Sequence, residues 1–186
     1  MKMPTRRGSA AFTLIEVITV ITIILILAGL VVSGAGFVKD RQANEKARVQ
    51  IALISKALEE YKLDAGSYPP TDDSTDDSAN GIGQSNILFQ RLYFDALSDT
   101  TKKLYLAELD PAVGKQKWTS GTASITTKIV DPWGGEYRYR TAIKLDGKAH
   151  KSTQNPDFDL WSSGKDKLTK PATPSDTTNR DDIKNF

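Results

Sequence analysis

The chain contains no cysteine and a single histidine among its 186 residues. Without cysteine there is neither a disulfide framework nor a thiolate metal site, so loops outside the cytoplasm need another fastening. The lone histidine, His150, sits in the polar run Gly147-Lys148-Ala149-His150-Lys151 with no serine or carboxylate partner in view. That is weak ground for acid–base catalysis. No phosphate-cradling glycine motif and no nucleophile elbow is present. Charge of either sign is also in small excess: the net is +2, and loss of Lys2, Arg6 and Arg7 would turn it to −1. Neither value argues for a nucleic-acid partner. The expectation is a protein that is not an enzyme.

What the sequence does have is one long apolar run. Val17 to Val38 reads VITVITIILILAGLVVSGAGFV, 22 residues without a charge, enough as a helix to span roughly 30 Å of hydrocarbon. Lys2, Arg6 and Arg7 precede it with no acid among them, which places the N-terminus in the cytoplasm and everything after Val38 outside. Ser33-Gly34-Ala35-Gly36 is the only small-residue candidate for cleavage after the run, and the amphipathic pattern continues past it. A plain single-pass anchor fits this topology. Glu16 does not suit an anchor. It is the only charge between Ala10 and Val38, and a carboxylate there is costly unless a neighbour supplies a cation.

The string Ala10-Ala11-Phe12-Thr13-Leu14-Ile15-Glu16-Val17 resembles the type III signal of type IV pilins and pseudopilins. The resemblance implies cutting by a prepilin peptidase between Ala11 and Phe12, which leaves 1–11 as a cytoplasmic leader, and N-methylation of Phe12. Glu16 then stands where the family carries its glutamate, to meet the amine of Phe12 on an adjacent subunit during assembly. Ala11 departs from the usual glycine, and Ser33 stands where many relatives have proline. Gly29, Gly34 and Gly36 either soften the helix there or allow close helix packing.

Helical periodicity continues beyond Lys39. Apolar residues recur at Ala43, Ala47, Ile51, Ile54, Leu58 and Tyr61, one buried stripe, with charges mostly off it. Gly66 is the expected stop, with Pro69 and Pro70 beyond. One helix from Phe12 to Asp64 would be on the order of 80 Å long.

Tyr61-Lys62-Leu63-Asp64-Ala65-Gly66-Ser67-Tyr68-Pro69 and Asp131-Pro132-Trp133-Gly134-Gly135, followed by the alternating Tyr137-Arg138-Tyr139-Arg140, resemble two elements of the major pseudopilins of type II secretion systems. Ala65 replaces the usual asparagine. Residues 71–86 read as a loop whose Asp72, Asp73, Asp76 and Asp77 are solvated or hold a cation loosely. Residues 87–109 suit one or two short helices. Strands are expected at Ala123–Val130, Glu136–Ala142 and Asp157–Ser162, with Trp133 and Trp161 as core residues. The fold class is α+β, type IV pilin-like: a long helix, transmembrane in its first half, packed on an antiparallel sheet of about three strands. The expected segments are the leader 1–11, the membrane half 12–38 and a periplasmic domain 39–186 that includes the helix half 39–64.

Asp157-Phe-Asp-Leu-Trp-Ser-Ser-Gly-Lys-Asp166 and the terminal Arg180-Asp-Asp-Ile-Lys-Asn-Phe186 resemble the segments that flank the calcium loop of major pseudopilins. The resemblance implies calcium held by Asp166 and the Ser163 carbonyl, completed by Asp176, Asp181 and Asp182, with hard oxygen donors suited to that ion. A solvated polar tail is the alternative. As function, the resemblance implies a homopolymeric pseudopilus that drives protein export. Its partners would be a prepilin peptidase, an inner-membrane assembly platform with its ATPase, minor pseudopilins, and inner-membrane lipid before assembly. A surface pilus for adhesion, motility or DNA uptake and a membrane-anchored binding or enzymatic domain are the rival readings.

Overall fold

The computed structural model describes residues 12–71, 84–112, 118–150, 153–171, 173 and 175–186, without the side chains of 31–35. The chain forms two compact units, Met1–Arg41 and Gln42–Phe186. Helix α1 (Leu14–Ala65) has residues in both.

In the first unit Thr13 opens α1. The Glu16 N–H donates to Thr13 Oγ1 at 3.3 Å, and the Thr13 hydroxyl and N–H reach back to Glu16 Oε2 at 3.4 and 3.5 Å, a loose capping box. The hydroxyls of Thr19 and Thr22 donate to the carbonyls of Ile15 and Ile18, so both are satisfied within the helix. Large apolar side chains from Phe12 to Leu30 are exposed throughout. Among the described residues no helical stretch is long and apolar enough to cross a membrane. The expected span Val17–Val38 takes in residues 31–35, whose side chains lie outside the description.

In the second unit α1 buries the anticipated stripe: Ala47, Ile51, Ile54, Ala57 and Leu58 are inaccessible, while Ala43 and Tyr61 are half-buried. The helix ends at Ala65 because Gly66, at φ +79°, turns left-handed and donates its N–H to the Lys62 carbonyl at 2.8 Å. Opposite the stripe lies an antiparallel sheet of order β1-β2-β3, with β1 Arg138–Thr141, β2 Phe158–Ser162 and β3 Ile183–Lys184. Tyr139 pairs with Leu160, Arg138 with Trp161, and Ser162 with Ile183. Tyr137, Tyr139, Phe158, Leu160 and Ile183 join the stripe in one core. Tyr137 donates to Gln50 Oε1 at 2.7 Å, which satisfies a buried amide oxygen on α1. A helical segment of α2 (Ser85–Phe89), a π-turn (Gln90–Phe94) and α3 (Asp95–Ser98) adds Leu88, Phe89 and Leu92.

One strand expectation changes. Residues 123–130 form no strand, only isolated bridges at Ile129 and Val130. Their hydroxyls are spent locally: Thr127 Oγ1 donates to the Thr122 carbonyl and accepts from the Ser124 N–H at 2.9 Å, turns that compete with a ladder. The third strand comes instead from the C-terminus. Asn185 extends it, its Oδ1 accepting from the Leu160 N–H at 2.8 Å. The far face of the sheet is covered as well. Arg140 is 1% and Asp159 0% accessible at the side chain, with Nη2 and Oδ2 3.8 Å apart. The Arg140 guanidinium lies over the Trp161 ring.

Ile54→Ala should lower stability by about 2–5 kcal/mol in urea unfolding, whereas Val49→Ala, on the exposed side of the same helix, should change it by less than about 0.5 kcal/mol.

Candidate functional site

Two regions carry the residues singled out in the sequence. At the start of α1, Ala11 lies outside the described residues. Phe12 is 81% exposed, one residue ahead of the Thr13 cap. Glu16 faces outward among Phe12, Val17, Val20 and Ile21. Its carboxylate is hydrogen-bonded by Thr13, and among the described residues no cation pairs with it.

The second region is the C-terminal loop between β2 and β3. Asp181 closes its neck: Oδ2 accepts from the N–H groups of Lys165 at 2.7 Å and Asp166 at 3.1 Å. Gly164 sits at φ +65°, and any side chain there would collide with the Asp181 carbonyl and carboxylate. Asp166 folds back on its own turn, accepting from the Leu168 N–H at 2.8 Å. The Asp182 side chain is fully enclosed. Its Oδ2 accepts from Thr169 Oγ1 at 2.8 Å and lies 3.5 Å from Lys184 Nζ, while Oδ1 is buried with no hydrogen-bond partner. Burial pushes the Asp182 carboxyl above the usual carboxylate range, against the pull of Thr169 and Lys184.

Asp176 is engaged differently. Its Oδ1 accepts from the Thr178 N–H and hydroxyl, capping the short 3₁₀ turn Thr177–Asn179, and Oδ2 pairs with Lys170 Nζ at 2.9 Å. The Thr178 N–H above all, then Lys170, holds its carboxyl at about 2. Asn179, unmarked by any motif, is the clasp beside it. It is almost wholly buried, accepting from the Lys170 N–H at 2.7 Å and donating to the carbonyls of Lys170 and Thr173.

Asp131 is the other residue that motif reading left without a role. It is buried in the Asp131–Gly135 turn, with Oδ1 accepting from the N–H groups of Trp133 and Gly135 at 3.0 and 2.7 Å. Burial raises its carboxyl above the ordinary value despite these bonds. The aspartate before a Pro-Trp-Gly turn was the available signal, since that spacing suits a side chain that caps its own turn.

Among the described residues no group of three or more His, Cys, Asp or Glu side chains is placed to hold a metal ion. The fit to calcium is therefore partial. The donors are all oxygen, and the enclosed, unpartnered Asp182 Oδ1 is the kind of atom a cation would satisfy. Carbonyls such as that of Ser163, and water, would have to supply most of a six- to eight-oxygen shell.

The family model for type II secretion system protein G matches residues 38–79, and that for the prokaryotic N-terminal methylation motif matches residues 6–32. The type II secretion system core protein G of Aeromonas hydrophila is 40% identical over 75 residues, which are 40% of this chain and 52% of that protein. The one from Vibrio cholerae is 40% identical over 70 residues, 38% and 48%. The chain thus spans about half the length of these relatives. No solved structure matches. The core protein G of Pseudomonas aeruginosa is 30% identical over 161 residues, 87% of either chain, and on that likeness the chain belongs to the family of type II secretion system protein G.

Proposed function

We propose that this protein is the structural subunit of a pseudopilus, which polymerises through its N-terminal helix and drives protein export by type II secretion. One observation carries the reading: a helix half clad in exposed large apolar side chains, from Phe12 to Leu30, that bears a single carboxylate at Glu16. Family membership and the match to the N-terminal methylation motif support it. The subunit waits in the inner membrane with residues 1–11 in the cytoplasm and the Gln42–Phe186 unit in the periplasm. A prepilin peptidase cuts between Ala11 and Phe12, and Phe12 is N-methylated. The new amine would be the cation that Glu16 lacks among the described residues of its own chain. An inner-membrane platform and its ATPase add subunits beneath minor pseudopilins, and identical helices replace lipid around the apolar half. The role is structural, without catalysis.

The C-terminal loop is proposed to take calcium. Its donors would be drawn from Asp166, Asp181, Asp182 and the Ser163 carbonyl, brought together only as the loop rearranges around the ion, with water completing the shell, while Asp176 keeps its cap on the loop's far turn. Bound calcium would neutralise the enclosed carboxylate of Asp182 and fix the loop against β3, adding to the hydrogen bonds that already fasten it without cysteine.

Glu16 is also half of a capping box, so the informative substitution is Glu16→Gln, which can still cap. Processing at Ala11 should be intact and pseudopili absent by electron microscopy, as for Glu16→Ala. Abundant normal filaments from Glu16→Gln would sink the assembly role. For the loop, millimolar calcium should raise the melting temperature of the full chain in detergent by several degrees over chelator. A melting temperature indifferent to calcium would remove the metal.

A further inference from the structure

The Asp131–Gly135 turn and the C-terminal loop lie some thirty residues apart in sequence and are joined by one hydroxyl. Ser162 is completely buried at the end of β2. Its Oγ donates to Asp131 Oδ2 at 2.5 Å and accepts from the Gly164 N–H at 3.1 Å. A hydroxyl has one hydrogen, so commitment to the carboxylate fixes which way its lone pairs point. Burial excludes water as a replacement partner. The other Asp131 oxygen is held by Trp133 and Gly135, which makes the carboxylate a rigid post. Gly164, at the far end of the relay, is the residue that abuts Asp181, and the next two N–H groups are those Asp181 accepts from.

We infer that Asp131 and Ser162 are positioning residues for the C-terminal loop: the buried carboxylate, acting through the Ser162 hydroxyl, sets Gly164 where Asp181 can close the neck. Neither residue belongs to the donor set proposed above. The metal arm of the inference rests on that calcium reading; the loop-closure arm does not. Placed this way, the turn and the loop form one unit, and displacement of the turn opens the neck. Asp131→Asn keeps an acceptor for Trp133 and Gly135 but presents an N–H₂ to Ser162, so the hydroxyl hydrogen loses its acceptor. Ser162→Ala removes the link outright.

Both variants should be compared with the parent chain, full length in detergent, by amide hydrogen exchange and by titration with terbium(III), displaced by calcium. Trp161 is a built-in sensitiser, since its indole N–H donates to Thr169, which donates to Asp182. In Ser162→Ala the amides of Gly164, Lys165 and Asp166 should exchange about tenfold faster or more, those of Tyr139 and Leu160 should not change, and terbium should bind about 10–100-fold more weakly. Loop exchange and affinity both within about twofold of the parent would overturn the inference. Should the parent bind neither ion, the calcium reading falls alone, and the exchange of residues 164–166 decides: acceleration sustains the positioning role, no change ends it. If Ser162→Ala loses sheet protection as well, the same criteria apply to Asp131→Asn.

Discussion

Between Phe12 and Leu30 thirteen large apolar side chains stand exposed, and covering each would be worth about 1.5–3 kcal/mol. That sum exceeds the net stability of an ordinary domain, so whatever covers this half of α1 dictates where the protein resides. A bilayer can cover it, and so can identical helices. Glu16 separates the two environments. In hydrocarbon its charge is expensive wherever no cation is near, and Thr13 answers only its hydrogen-bonding capacity. A partner that brings an amine relieves the charge as well. On the proposed assembly, the helix moves from lipid, where the carboxylate is costly, to copies of itself that bring the amine, and that difference is what would draw subunits out of a membrane.

The Gln42–Phe186 unit solves a different problem, that of fastening long connections without cysteine. Its core is ordinary, the α1 stripe against one face of a three-stranded sheet. The other face is closed by Arg140, Asp159 and Trp161, and the loop beyond it is tied chiefly by side chains bonded to backbone. Asp181, Asp176 and Asn179 each satisfy N–H groups of other loop residues, and Asp182 is enclosed between Thr169 and Lys184. These bonds give the loop a shape of its own.

Much of this was legible from residues alone. The apolar run, the stripe from Ala47 to Leu58 and the stop at Gly66 follow from periodicity and from the one residue type that turns left-handed cheaply. The strands around Tyr139 and Leu160 follow from alternation. The third strand was not legible: Ile183–Lys184 is two residues long, too short to alternate, and it is held by Asn185 as much as by its own backbone. Residues 123–130 misled because β-branched threonines favour strands in general but here bond to their own turn. The burial of Arg140 was not legible either, since alternation says which residues share a face and not whether that face is covered. In the loop, the resemblance marked Ser163, Asp166, Asp176, Asp181 and Asp182 but not Asn179, and it gave Asp131 in the earlier turn no role; both act through contacts that spacing cannot express.

The most direct measurement is a zero-length carbodiimide cross-link in assembled filaments, mapped by mass spectrometry after proteolysis. If helices stack with one subunit's carboxylate against the next subunit's amine, the dominant product joins the Phe12 α-amine to Glu16 of another copy, shown by mixing isotopically light and heavy subunits. Filaments that form readily, with residues 1–11 still attached or with Phe12 linked to no Glu16, would contradict it.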